Sequence, residues 1–201
     1  MSKIEVNQID TISGSSTLLI GPSAATKLTF SSTLIVDFNV NSPGVTLNST
    51  MKNTPAFTAY RSGDQTGIAK NTFTKINLNA ELFDTDSMFD TSTYRFTPTV
   101  AGYYYCYGKV LLGTGTASNM YVIFNYLMKN GVTAIARSQL DYRNNANGYS
   151  MSPPTMGTAY FNGTSDYLEL YTLFDMGAGG TGTVTAGLDE TYMGAFKLIG
   201  A

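Results

Sequence analysis

The stretch Phe89 to Leu112, FDTSTYRFTPTVAGYYYCYGKVLL, restricts the fold more than any other part of this chain. Asp90, Ser92 and Thr93 can turn the backbone with their own side chains, while Tyr94, Phe96 and Val100 supply β-favouring apolar surface. Pro98 has no N–H to donate and keeps that short strand out of a central ladder position; Gly102 releases the chain into the next strand. From Gly102, alternation sets Tyr104, Cys106, Val110 and Leu112 on one face and Tyr103, Tyr105, Tyr107 and Leu111 on the other. Both faces are apolar or amphipathic. A sandwich needs one such face per sheet, so the second must meet something else, most simply another copy of the chain.

Composition points the same way. A chain of 201 residues can build one full core with a smaller appendage. Aromatics at 12%, charges at only 13% and 20 glycines indicate β-structure, and few stretches have the Ala, Glu, Lys and Leu density that favours a helix. The net charge of −2, with no Lys/Arg cluster, gives no footprint for nucleic acid. The opening MSKIEVNQID has charges where a secretory signal needs an apolar run, and no stretch is long enough to span a bilayer. The expectation is a soluble chain made in a cytoplasm, without membrane insertion. The single cysteine, Cys106, sits in an apolar strand and reads as a packed thiol.

The sequence divides into residues 1–54 and 55–201. Before residue 50 the charges are sparse, and short β-like runs (Thr17 to Ile20, Lys27 to Phe30, Thr33 to Phe38, Val45 to Leu47) stand between Ser, Gly and Pro. In and just after the third run Leu34, Val36, Phe38 and Val40 alternate against Asp37, Asn39 and Asn41. Runs so short cannot close a private core; three chains wound together can, which makes this region an intertwined β-structured stem. A disordered leader is the alternative.

Beyond it, strands are expected at Phe73 to Leu78, Gly102 to Leu112, Met120 to Met128, Val132 to Leu140, Met156 to Phe161, Asp166 to Phe174 and Tyr192 to Ile199. Lys129-Asn130-Gly131 is a strong hairpin signal, since Asn-Gly takes the positive φ of a tight turn. The two-faced pattern recurs: Val122, Phe124, Tyr126 and Met128 alternate with Tyr121, Ile123 and Leu127, and only Asn125 breaks the apolar faces. Between Asp166 and Met176, Leu168, Leu170 and Phe174 suit the core, and Tyr167, Tyr171 and Leu173 the reverse. A subunit interface would therefore use Tyr103, Tyr105, Tyr107, Tyr121, Ile123, Tyr167, Tyr171 and Leu173, because tyrosine buries its ring while its hydroxyl finds water or a partner.

Phe96 with Pro98, then Val100-Ala101-Gly102 leading into Tyr104, resembles a strand pair of the C1q and tumour-necrosis-factor-like domains. That pattern runs Gly-x-Phe-x-x-Pro-x-x-Gly-x-Tyr-x-Phe; Tyr94 stands where it has glycine and Cys106 where it has phenylalanine. Pro55 to Ser62 is similar to the family's opening strand, Asp166 to Leu170 to its Gly-Asp-x-Val-x-Leu strand with Ser165 for the glycine, and Tyr192 to Leu198 to its closing strand with the spacing shifted by one. The resemblance implies an all-β fold, a ten-stranded C1q/TNF-like jelly-roll sandwich assembled as a homotrimer over residues 55–201. The leader has its own resemblance: Ser2 to Ile9, Ser13-Gly14 and Thr17 to Gly21 look like the N-termini of tail-fibre and appendage proteins of marine bacterial viruses.

Catalytic chemistry has little support. The chain has no histidine, so the usual proton acceptor of serine and cysteine dyads is missing. Asp84, Asp86 and Asp90 could pair as acids or hold a calcium ion through oxygen ligands, or be a turn-forming loop; their spacing does not follow an EF-hand, and some C1q-like domains bind calcium. No other cofactor is indicated. Gly177 to Gly182 lacks the Lys-Ser/Thr of a phosphate loop and reads as a flexible connection, and Asn162-Gly163-Thr164 reads as a turn. The loop carrying Tyr142, Arg143, Asn144, Asn145, Asn147 and Tyr149 has the stacking and hydrogen-bonding groups that grip glycans or polar protein surfaces, or is simply solvated. The expected role is a trimeric virion protein, a short tail fibre or a head or tail appendage. Residues 1–54 would dock on other virion proteins and the C-terminal head would meet a host surface glycan or protein. A decoration or connector protein without a receptor is the alternative, and a bacterial adhesin a weaker third reading.

Overall fold

The structure, a computed structural model, describes residues 54–115, 120–143, 148–177 and 180–199. The expected stem lies outside the described residues except for Thr54, and so do Asn144, Asn145 and Asn147.

Along the chain the strands are β1 Ala56–Arg61, β2 Gln65–Ile68, β3 Thr74–Lys75, β4 Ala80–Asp84, β5 Phe89–Asp90, β6 Arg95–Phe96, β7 Gly102–Lys109, β8 Leu112–Gly113, β9 Met120–Lys129, β10 Thr133–Asp141, β11 Ser150–Met151, β12 Thr155–Phe161, β13 Leu168–Met176, β14 Gly182–Val184 and β15 Gly187–Lys197. The described residues contain no helix. One sheet runs β12-β7-β15-β1-β4 and the other β10-β9-β13-β6-β5, with β3 also on β13; a small sheet, β11-β8-β14-β2, closes one end. Every pairing is antiparallel.

Alternation sets the core as expected for β7, where Tyr104 and Cys106 are fully buried, and for β13, where Leu168, Leu170 and Phe174 face inward. Between the sheets Phe57 stacks on Phe96 at 4.2 Å and on Phe89 at 5.2 Å, and Tyr104 meets Phe96 and Phe161 edge-on. Each such side chain contributes about 1.5–3 kcal/mol by leaving water. The Tyr104 hydroxyl donates to Val100 O at 2.7 Å, so its polar end is satisfied.

Three expectations are corrected. Ile123 is not an outward interface residue: it is 0% exposed and part of the core, as is Leu127, while Phe124 and Tyr126 point outward. The inward face of β9 carries the polar Asn125, whose amide donates to Val110 O (3.2 Å) and Pro153 O (2.8 Å) and whose Oδ1 accepts from Thr172 Oγ1 at 3.1 Å. The glycine run is not wholly a flexible connection, because Gly182 begins β14 against Ile68 and a Cβ there would stand 2.8 Å from Leu112 and Phe174. The expected strand Phe73 to Leu78 shrinks to β3, and Gly102 to Leu112 ends at Lys109. The Asn130-Gly131 hairpin is present, with φ of 56° and 67° as a two-residue mirror-image turn requires.

Candidate functional site

The outer face of the first sheet is aromatic across β12, β7 and β15. Tyr103, Tyr105 and Tyr107 of β7 run beside Tyr160 of β12 and Phe196 and Tyr192 of β15, with ring centroids 5.5 Å apart for Tyr103–Tyr160 and Tyr105–Phe196. The register Tyr107↔Gly194↔Thr58 lays the Tyr107 phenol across a glycine, where a Cβ would collide with Tyr107 Cζ and stand 2.8 Å from Phe57 O; Thr58 Oγ1 and the Tyr107 hydroxyl share a hydrogen bond of 2.7 Å. Among the described residues this face stays open at its β12 side: Tyr103 and Tyr160 are each 48% exposed, Met156 55%. The other predicted interface residues lie elsewhere. Tyr121 is half-buried at the start of β9. Tyr167, Tyr171 and Leu173 belong to the opposite sheet, where Tyr167 carries the Arg95 guanidinium at 4.1 Å and Tyr171 stacks on Phe73 at 4.6 Å.

The strand ends define two poles. Leu168 pairs with Lys129, Phe161 with Gly102 and Ala56 with Phe196, which brings the entry of the chain at Thr54 and Pro55 to one pole. Met120 pairs with Met176 and bridges to Gly148, and Tyr142 N donates to Tyr121 O at 2.8 Å, so Tyr142, Arg143 and Tyr149 stand at the other. There Arg143 is clamped on Asp141, whose carboxyl the guanidinium and the Arg143 N–H hold below its ordinary range.

The acidic residues of the loop after β4 serve turns. Asp84 accepts from the N–H groups of Asp86 (3.3 Å) and Phe89 (2.7 Å). Asp90 accepts from the side chains and N–H groups of Ser92 and Thr93, hydrogen bonds that hold its carboxyl far below the usual range. Asp84, Asp86 and Asp90 are not brought together, and among the described residues no group of three His, Cys, Asp or Glu side chains could hold a metal. Asn162 accepts three backbone N–H groups within its turn. Burial pushes Asp166 up, but donors from Asn130, Lys129 and Asn162 outweigh it and leave the carboxyl low.

Sequence reading missed a charged cluster on the second sheet. Glu169, on the outward side of β13, is 1% exposed beneath Lys75 and Arg95, which reach its Oε1 at 2.5 and 2.9 Å. The motif Leu168-Glu169-Leu170 marks it only as polar between core residues; its cations lie 94 and 74 positions away.

No protein-family model matches the chain, and no curated protein sequence matches it significantly. Solved structures do. The Eiger TNF of S. frugiperda aligns with a TM-score of 0.54 at 11% identity, over 73% of this chain and 93% of that one; murine APRIL, solved at pH 8.0, with 0.52 at 12% identity, over 71% and 98%. The globular domain of the zebrafish complement 1qA protein gives 0.46 at 16% identity, over 72% and 97%. The fold is that of the two TNF-type structures, a TNF-like jelly roll. Within the jelly roll, Tyr94 keeps the backbone that glycine would give: its φ is 58°, although a bulky side chain rarely adopts that region.

Proposed function

We propose that this protein is a trimeric bacteriophage virion structural protein, a short tail fibre or a head or tail appendage, and not an enzyme. Residues 1–54 dock it on the particle, and the jelly-roll head meets the host surface. The observation that carries the reading is the outer aromatic face of β7 and β12, with Tyr105 and Tyr107 half-buried and Tyr103 and Tyr160 exposed, which a closed ring of three copies would bury. The leader's resemblance to phage appendage proteins supports the virion location. The separation of Thr54 from Tyr142, Arg143 and Tyr149 by the length of the sandwich supports a head that is held at one pole and recognises at the other.

A decoration or connector protein is the second reading, favoured by a further aromatic surface on the opposite sheet, where Phe73 is 41% exposed over Tyr171 and Tyr126; such a surface suits packing against other virion proteins. Solution mass tests the trimer, and a stable monomer at micromolar concentration refutes it. Immunogold labelling of intact particles separates the two readings: a distal head supports recognition, a covered head supports assembly. Tyr142→Ala with Arg143→Ala is expected to reduce cell adsorption while leaving the mass unchanged, and unchanged adsorption removes this loop as the receptor site.

A further inference from the structure

A surface pocket of about 310 Å³ opens between β3 and the turn joining β5 to β6, lined by Lys75, Asn77, Ser92, Thr93, Tyr94 and Arg95. The lining contains two cations and no carboxylate. The carboxylate that compensates them, Glu169, lies beneath, and both cations fall on the same oxygen, while its Oε2 accepts from the Tyr171 hydroxyl at 3.3 Å. Both cations keep their side chains open to the pocket, Lys75 24% and Arg95 39% exposed, while the second carboxylate nearby, Asp90 opposite Arg95, is turned onto Ser92 and Thr93.

Donors remain free there. Arg95 uses Nε for Glu169, and its terminal nitrogens make no hydrogen bond among the described residues. The same holds for the side-chain amide of Asn77, whose backbone alone is bonded. Lys75 gives two of its three protons, to Thr93 O and Glu169. The guanidinium carbon stands 4.1 Å over the Tyr167 ring, which restrains the group. Tyr94 stands beside this group, its ring 5.8 Å from the Lys75 ammonium. Its left-handed backbone is held by Tyr94 N donating to Asp90 O at 2.6 Å and by the Asp90 carboxylate gathering Ser92 and Thr93. Strain of this kind persists only where the surroundings impose it, and it concentrates at sites that use the side chain. A guanidinium reads an oxyanion, an aromatic ring packs the apolar face of a sugar, and the free Asn77 amide takes its hydroxyls.

We propose that this pocket binds an acidic saccharide, with its carboxylate or sulfate on Arg95 and Lys75 and its ring against Tyr94. The site is distinct from the Tyr142 loop, and it stands whether or not the chain is a virion protein. The test is calorimetric titration of the full chain at low salt with a sulfated disaccharide, a uronate-containing disaccharide, a neutral disaccharide and inorganic sulfate. Saturable, salt-sensitive binding of either acidic disaccharide without the neutral one is expected, and whichever binds names the oxyanion. Arg95→Lys keeps the ion pair with Glu169 but loses the fork, and should weaken binding about tenfold. Tyr94→Gly suits the left-handed backbone, so its melting temperature should hold or rise, while the saccharide is lost and the inorganic sulfate response is retained. No saturable binding of either acidic disaccharide overturns the proposal. So does binding of sulfate alone, of neutral and acidic sugars equally, or titration of both variants like the wild type.

Discussion

Asn125 shows how one side chain decides which way a strand faces. Its amide bonds Val110, Pro153 and Thr172 inside the core, so Asn125→Ala takes the side-chain donor from Val110 O, while Pro153 O keeps Ser138 and the Thr172 hydroxyl keeps Phe124 O. Unfolding in denaturant should show a loss of about 1–3 kcal/mol, the usual result of leaving one buried group unpaired. The residues of β9 made its strand character plain but not its orientation, because periodicity needs contrast and both faces are apolar. Asn125 is the one break, and in sequence a polar residue argues for the outside; its partners are 15, 28 and 47 positions away, and only the fold supplies them. Ile123 was misassigned for that reason. Cys106, by contrast, was legible as a core thiol. Burial pushes it up to about 12, so a maleimide at pH 8 should leave the native protein unlabelled and label it fully once unfolded.

At the scale of elements, glycines mark both what sequence can disclose and what it cannot. Asn130-Gly131 was readable because the need for positive φ is local. Gly182 was not: composition placed it in a loop, whereas its role comes from Leu112 and Phe174 closing over the site of a side chain. Gly182→Val is expected to lower stability by about 1–3 kcal/mol, the usual result of forcing volume into a packed core, measured by thermal unfolding. Gly194 carries a different burden. Gly194→Ala drives a methyl group against the Tyr107 phenol and breaks its hydrogen bond with Thr58; sedimentation at fixed concentration should then show the proposed trimer failing to assemble while far-ultraviolet dichroism stays β. Loss of the β signal would instead make Gly194 a folding residue.

For the whole molecule, the titrating groups set a stability window with two limbs. The carboxyls of Asp90, Asp141 and Asp166 are lower in the fold than in the open chain, so they stabilise above the ordinary carboxylate value near 4 and that stabilisation fades as pH falls below it. Tyr104, Tyr171 and Cys106 are raised, chiefly by burial; they are neutral in both states at low pH, and the unfolded chain gains by ionising as pH rises past 9–10. The melting temperature should therefore be flat from about pH 5 to 9 and fall on both sides; a fall beginning at neutrality would contradict these placements. The β-sandwich was legible, since turn chemistry and strand alternation are local, and so was the aromatic face of β7; the jelly roll among sandwiches came only from the resemblance carried by Phe96, Pro98, Gly102 and Tyr104. The Lys75–Glu169–Arg95 cluster was not, because it exists only where three distant segments meet.

The position of β1 has a mechanical consequence. It lies between β15 and β4, and the chain enters it directly from Thr54. A pull between that point and the far pole runs along the strand, so the hydrogen bonds on both flanks, which lie across the strand, are sheared together rather than opened one after another. A head gripped at Tyr142 and tugged from Thr54 would resist as a clamp, and β1 would be the part that sets its breaking force.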